Sequence, residues 1–353
     1  MSSQINPTRA IQDILTRHES AGRLTRDDTK LLVEAVLDET ISQDTFANWL
    51  ESTVERCPTS QEIAGVADAL RARMHSVDLP NTNVLIGDTC GTGGDGSGTF
   101  NISTAAAFVA AATGLPIAKH GNRAVSSRTG SADVLEQLGI KVIVTPDVAK
   151  RCLIDVGICF LFAPSHHPAL AKLRELRQRI GRPTVFNLVG PLCNPVGNVI
   201  QVIGVGRDDA QQPVAEAAAM LNHRRAIVVR SIDGVDEVGL FAKTRVLDVS
   251  QGHIRESIWH PEDFGIPMRT PNEKTTLIAS DSKESAHCIR SVLEGEQGPR
   301  RDIVVINAAA LIWASGHADN LISAAQLAQS AIDTGQAHSV LERLQAISHI
   351  EEA

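Results

Sequence analysis

The sequence contains no tyrosine, and only 3% of its 353 residues are aromatic. A surface that grips nucleic acid by stacking bases needs aromatic faces, so that class of binder is disfavoured from the outset. Also absent is a CxxC pair: the six cysteines lie at 57, 90, 152, 159, 193 and 288. In a chain too long for a disulfide miniprotein they read as free thiols in a reducing cytosol. No run of about 18 apolar residues occurs, the usual length of a membrane span, and the first residues hold no apolar signal core. The expected location is therefore cytoplasmic. Positive charge is also short: 33 Lys and Arg against 41 Asp and Glu leave a net charge of −8. This argues against nucleic acid or an acidic membrane surface as the main partner, and leaves a local basic patch open.

What is present is an ordinary globular composition, 43% hydrophobic and 21% charged. The length suffices for two domains, or for one large domain with a subdomain. Alanine-rich helical stretches point to close packing of small residues. Residues 1 to about 78 read as helix only, with Ile11, Ile14 and Leu15, then Leu31, Leu32, Ala35 and Val36, at helical spacing. Thr25–Asp28 before the leucine run has the form of a helix start. After the linker-like Leu79–Asn83, strands at Val84–Thr89, Leu115–Ala118, Ile158–Ala163, Val202–Val205 and Ala226–Arg230 alternate with helices. The helices are expected at Ile102–Ala112, Ala132–Leu138 and Ala169–Ile180. Leu247–Ser250 with Gly252–Trp259 resembles a hairpin, and the tail from Asn320 returns to amphipathic helix. This pattern predicts an α/β fold: a small all-helical N-terminal domain over 1–80, plus a large α/β domain over 81–353. The latter is expected to hold a central, largely parallel sheet flanked by helices.

The densest signal is the run DTCGTGGDGSGTFNIST at 88–104. Its five glycines between 91 and 98 let the backbone approach a ligand closely and expose successive N–H groups. The next helix begins near Asn101 or Ser103, both good caps, so its positive dipole end faces the same ligand. Gly91, Gly93 and Gly96 formally satisfy GxGxxG, but a dinucleotide site also wants an acidic residue roughly 20 positions on. Between Asp95 and Asp133 there is no Asp or Glu, whereas Lys119, His120, Arg123 and Arg128 fall in that stretch. No Gly-Lys-Ser/Thr follows the turn, which excludes a nucleotide P-loop. The pattern suits a ligand carrying several phosphates. A second element, KHGNRAVSS at 119–127, follows a strand and should emerge at the same C-terminal sheet edge, where ligands of open α/β sheets collect.

Through these segments the sequence resembles the anthranilate phosphoribosyltransferases of tryptophan biosynthesis. The likeness continues through GSADVLEQLG (130–139), FLFAPSHHPAL (160–170), GRPTVFNLVGPLCNP (181–195) and DGVDE (233–237). The resemblance implies a phosphoribosyl pyrophosphate site at Gly91, Gly94, Asp95, Thr99, Asn101, Ile102, Ser103, Thr104, Lys119, His120, Gly121, Asn122, Arg123, Ala124, Val125, Ser126, Ser127 and Ser131. It implies Mg2+, two ions per monomer, on Ser103, Asp236 and Glu237, since adjacent carboxylates suit a hard, partly hydrated cation. It also implies an anthranilate pocket at Gly91, Asn122 and Arg177, a guanidinium being the planar partner for a carboxylate. His167 either borders that pocket or serves packing. The helical segment 168–187 is expected to join residues 1–80, and a homodimer through this helical domain is the expected assembly.

The implied reaction is the second step from chorismate to tryptophan. Ribose C1 loses pyrophosphate through an oxocarbenium-like state while the acceptor amine attacks from the opposite face, and the phosphate cradle and magnesium stabilise the leaving group. An arylamine loses its proton easily once bonded, so no general base is assigned. Four positions depart from the family's usual pattern: Pro183, Arg230 and Ile232 before DGVDE, and Gly239 where Ser or Thr is usual. They leave open a paralogue with another aromatic acceptor. A pyrimidine nucleoside phosphorylase and a non-catalytic nucleic-acid-binding paralogue are further alternatives. The KHGNR loop speaks against the phosphorylase, and the net charge of −8 with the retained Asp236-Glu237 pair speaks against the nucleic-acid binder.

Overall fold

The computed structural model describes residues 7–78, 84–124, 129–197 and 199–350. It opens with helices Pro7–Ala21, Arg26–Leu37, Gln43–Glu55 and Ser60–Arg71. Thr25, Ser42 and Thr59 start the last three, each side chain accepting from the backbone N–H three residues on. A seven-stranded sheet follows. β1 (Gly87–Gly91), β2 (Ile117–Gly121), β3 (Ile158–Phe162), β4 (Ile200–Gly204) and β5 (Arg225–Ser231) are parallel, while β6 (Thr244–Ser250) and β7 (His253–Trp259) add an antiparallel hairpin. The order across the sheet is β3-β2-β1-β4-β5-β6-β7. Every residue of β3 and β4 is buried, which requires cover on both faces.

One face packs against the apolar helix Ile102–Ala112 and helices Ser282–Leu293, Pro299–Ala314, Leu321–Asp333 and Gln336–Ser348. On the other, the N-terminal helices and helix Gln211–Met220 share one continuous core with Ile203, Val228 and Leu247 of the sheet. Leu173, Leu176, Val185 and Phe186 lie in that same core. The helical residues therefore bury their apolar faces against the sheet layer as well as against each other.

Three sequence expectations shift. β1 and β2 begin two or three residues later than the apolar runs at Val84 and Leu115, because pairing begins at Gly87 with Ile117 and Ile200; Val84 is 43% exposed. Ala169–Ile180 is not one helix: a 3-10 segment at Pro168–Leu173 precedes the α-helix Arg174–Ile180, which Gly181 ends at φ 63°. Asn101 holds the N-cap position of Ile102–Ala112 without capping it, its side chain being engaged elsewhere.

The order of strands places the site. From β1 the chain builds outward through β2 and β3 on one side, and through β4 and β5 on the other. The switch point lies between the C-terminal ends of β1 and β4, where Gly91 pairs with Gly204. Among the described residues no helix is long and apolar enough to cross a membrane, and all six cysteines are free.

Candidate active site

At the switch point, the loop after β1 bends through Gly93, Gly94, Gly96 and Gly98, all at positive φ between 66° and 82°. Only glycine takes that conformation without strain, so the loop's shape is written into its composition. Thr92 N–H donates to Gly204 O at 2.8 Å and Thr92 Oγ1 accepts from Gly206 N–H at 3.1 Å, which fastens the loop to the end of β4. Asn101 Oδ1 accepts from Ser285 Oγ at 2.9 Å and Thr129 Oγ1 at 2.8 Å, so its carboxamide ties the loop's far end to a neighbouring helix. Ile102 and Thr104 are buried, so their side chains face the core rather than a ligand in the loop. Thr99 is half-buried and bridges to Ile278.

Asp236 and Glu237 reach this loop from the turn after β5. The Gly93 backbone faces Asp236, and the Ser103 backbone, in the first turn of helix Ile102–Ala112, faces Glu237. The helix N-terminus is thus served by a carboxylate from a distant loop instead of by its own cap. Asp236 N–H lies 3.3 Å from Asp95 Oδ2. Burial, then the charge of Asp95, pushes the Asp236 carboxyl up to about 7. Burial and the neighbouring Asp236 raise Glu237 well above the usual carboxylate range. Ser103, Asp236 and Glu237 line one small cavity with Thr89, Gly91 and Gly204. Thr89, Ser103, Asp236 and Glu237 offer oxygens there beside the Cys90 thiol, and the mutual repulsion of Asp95, Asp236 and Glu237 is what a divalent cation relieves. No group of three His, Cys, Asp or Glu side chains positioned to hold a metal occurs among the described residues. The adjacent carboxylates with the Ser103 hydroxyl suit an ion that keeps waters and shares substrate oxygens, as magnesium does.

Lys119 ends beneath the loop. The residue is 4% exposed, and its ammonium donates to Thr89 O at 2.5 Å, with Ser103 Oγ at 3.4 Å. Burial pulls its pKa down, while Asp88 and then Cys90 and Glu237 hold it up. Its charge thus lies at the floor of the site.

The next residues of that segment are fixed by a carboxylate that sequence reasoning did not single out. Asp88, wholly buried in β1, accepts from His120 N–H at 3.2 Å, Asn194 Nδ2 at 2.9 Å and Gln201 Nε2 at 3.0 Å. The available signal was an acid inside an apolar strand, which must find partners to be tolerated. His120 Nδ1 lies 3.1 Å from Gly190 O, and its ring centroid is 5.3 Å from that of His167, whose Nε2 is 3.0 Å from Cys193 O. Burial, then the proximity of His167, pulls His120 down to about 3, and burial pulls His167 down to about 4. His167 is therefore a buried, neutral neighbour of His120.

Beyond β2, Gly121 is forced by crowding: a Cβ there would lie 2.2 Å from Ser131 Oγ. Ser131 Oγ donates to Asn122 O at 3.3 Å, and Asn122 is exposed with its Oδ1 accepting from Arg123 N–H at 2.7 Å. Arg123 turns to Glu136 at 2.6 Å and Asp133 at 3.1 Å, so its guanidinium is already paired. Asp133 Oδ2 also accepts from Ala124 N–H at 2.9 Å and Gly130 N–H at 3.0 Å, pinning both ends of the intervening segment. Val125, Ser126 and Ser127 lie outside the described residues.

Arg177 stands on helix Arg174–Ile180 with its guanidinium carbon 5.6 Å above the Phe186 ring. It is half-buried, burial lowers its pKa, and among the described residues its side chain has neither an acidic partner nor a hydrogen-bond acceptor. An unmatched guanidinium of this kind is a ready receptor for a carboxylate. The neighbours of Phe186 (Thr184, Asn187 and Leu188) line a small cavity with Thr92, Gly93 and Gly94 of the glycine loop.

A family model described as "Glycosyl transferase family, a/b domain" matches residues 83–338. A curated relative from Rhodopirellula baltica, named "Anthranilate phosphoribosyltransferase", is 40% identical over 97% of this chain and 98% of its own length. The chain belongs to the anthranilate phosphoribosyltransferase family. Its member from Moorella thermoacetica is 46% identical, over 81% of this chain and 83% of its own. Among solved structures, the anthranilate phosphoribosyltransferase of Thermus thermophilus superposes with a TM-score of 0.87 at 34% identity, covering 97% of this chain and 99% of that one. The Saccharomyces cerevisiae enzyme in complex with PRPP and Mg gives 0.85 at 27% identity over 96% and 98%. The same enzyme with 4-fluoroanthranilate gives 0.82 at 26% identity over 97% and 98%.

Against the anthranilate phosphoribosyltransferase pattern, the departures acquire physical reasons. Ser231 and Gly239 are a compensating pair: a Cβ at Gly239 would lie 2.2 Å from Ser231 Oγ, so a hydroxyl on one side requires glycine on the other. Pro183 lines the cavity beside Gly93 and Gly94. Ile232 is 58% exposed at the turn and touches neither the carboxylates' cavity nor that of Pro183. Arg230 points back into the protein, where its Nη1 meets the carbonyls of Val205 and Gly234.

Proposed function

We propose that this chain transfers the phosphoribosyl group of phosphoribosyl pyrophosphate to anthranilate, releasing pyrophosphate, with magnesium on Ser103, Asp236 and Glu237. The carrying observation is the convergence of glycine loop, helix N-terminus and carboxylate pair at the β1–β4 switch point. The yeast relative's complexes, with PRPP and Mg and with 4-fluoroanthranilate, support the same ligands here. The loop from Gly91 to Thr99 and the start of helix Ile102–Ala112 present N–H groups and a positive dipole end to the phosphates. His120 and Ala124, whose backbone N–H groups Asp88 and Asp133 hold, complete the cradle. Arg177 holds the acceptor carboxylate, and exposed Asn122 orients the acceptor near Gly91. Magnesium, when bound, offsets the charge that grows on departing pyrophosphate. Buried, neutral His120 and His167 are too weakly basic to take a proton, which agrees with an acceptor that needs no general base. Two ions per monomer, a homodimer through the helical residues and a cytoplasmic location complete the proposal. Six free thiols support the location.

The test is pyrophosphate release by the parent and by Asp236→Asn/Glu237→Gln, with anthranilate and a panel of other aromatic amines. The double variant should lose about a hundredfold or more in turnover. Without metal it should also melt higher than the parent at pH 8. Asp236 has a folded pKa raised to about 7, so its contribution to stability is full below its unfolded pKa and lost as pH rises through 7. Neutral isosteres suffer no such loss, and the difference should vanish near pH 4. Near-native turnover in the double variant would remove both carboxylates from the mechanism. A parent that ignores anthranilate yet consumes phosphoribosyl pyrophosphate with another amine would establish the paralogue.

A further inference from the structure

Arg230 lies near the end of β5, just before the turn that carries Asp236 and Glu237. Its Nη1 donates to Val205 O at 3.1 Å, to Gly234 O at 3.2 Å, and closely to Gly206 O. Its Nε is 3.6 Å from a carboxylate oxygen of Asp208. These carbonyls belong to separate loops. Gly234 sits two residues before Asp236. Gly206 underlies the phosphate loop: a Cβ there would lie 2.4 Å from Gly93 O and 2.8 Å from Asp95 N. One half-buried guanidinium thus connects the turn bearing the carboxylates to the backbone beneath the glycine loop.

We infer that Arg230 is a positioning residue that holds the Asp233–Glu237 turn at a fixed distance from the glycine loop, and so sets how readily the site takes magnesium. This rests on the reading of Asp236 and Glu237 as magnesium ligands. The two elements must agree because the Asp236 N–H donates to Asp95 of the glycine loop at 3.3 Å. The three carbonyls converge on the one Nη1, which the rigid guanidinium plane holds in place, whereas a flexible lysine stem does not fix its ammonium at that point. The sign of the effect separates this role from simple electrostatics. Removing a positive charge near the site would by Coulomb attraction alone favour a cation; loss of a brace disfavours it.

The experiment compares the full-length parent, Arg230→Met, Arg230→Lys and Asp236→Asn/Glu237→Gln. It measures the half-saturating Mg2+ concentration at saturating substrates, and Mn2+ binding directly by electron paramagnetic resonance. Arg230→Met should raise the Mg2+ requirement and weaken Mn2+ binding about tenfold, the loss of roughly one hydrogen bond to a charged group. The anthranilate KM should move less than about twofold, and kcat at saturating Mg2+ should stay within about threefold. Arg230→Lys should shift the metal requirement in the same direction by less, and it decides the matter alone if Arg230→Met does not fold. A lower melting temperature with unchanged or tighter metal binding would make Arg230 a merely structural brace and overturn the inference. Unaltered Mg2+ dependence in the double carboxylate variant would sink the metal assignment, and the role of Arg230 with it.

Discussion

Arg177→Ala isolates acceptor recognition from the rest of the site. Among the described residues the guanidinium has no acidic partner, so its removal breaks no ion pair there. What the fold loses is a cation–π contact with Phe186, worth about 0.5–1 kcal/mol, partly offset by relief of a buried charge. Stability should therefore change by less than about 1 kcal/mol. Binding is different. If the acceptor carboxylate docks on this guanidinium, the variant loses a charge-assisted interaction of roughly 1.5–3 kcal/mol. At about 1.4 kcal/mol per factor of ten, the anthranilate KM should rise about ten- to a hundredfold. The KM for phosphoribosyl pyrophosphate should hardly move. Arg177→Lys should recover only part of the loss, since it keeps the charge but not the fork. The assay is steady-state turnover with anthranilate and with aniline, which lacks the carboxylate. Aniline should be a poor substrate for the parent and an equally poor one for Arg177→Ala. An equal loss toward both amines would show that Arg177 acts on something other than the carboxylate.

Two further outcomes follow from the geometry. Gly204→Ala would place its Cβ 1.7 Å from Asp236 O, so backbone must move where the carboxylate turn meets β4. We expect about 1–3 kcal/mol of destabilisation in urea and a raised Mg2+ requirement, against a near-neutral control at Gly190→Ala, where nothing lies within 4 Å of the added methyl. Neutral stability and turnover in Gly204→Ala would contradict that close approach. His120 and His167, at about 3 and about 4, have folded pKa values below the unfolded 6.5. Their contribution is full above pH 6.5 and is lost as pH falls toward 4, so unfolding free energy should decline over that window while both imidazole rings stay untitrated by NMR between about pH 5 and 8. A ring midpoint near 6.5 would mean that they are not buried as described.

Much of this protein was legible residue by residue. Strand–helix alternation signalled a parallel sheet, because strands covered on both faces are mostly apolar, and the Ile158 and Val202 segments are. Gly93 to Gly98 announced a loop of positive φ, since no other residue takes it cheaply. The absence of acids from 96 to 132 ruled out a dinucleotide site without any coordinates. These are local properties of the chain. What only the tertiary structure decided is where long polar side chains end. Lys119 lies under Thr89, Arg123 is paired with Glu136, and Asp88 gathers Asn194 and Gln201 from more than a hundred residues away. Gly204 touches Asp236 only because β4 sits beside β5, a neighbour relation fixed by sheet order rather than by any motif. A motif names the groups that can do the chemistry, since residue type is local. Their partners depend on register and strand order, which come from burying the whole core at once, and so were settled only when the chain folded.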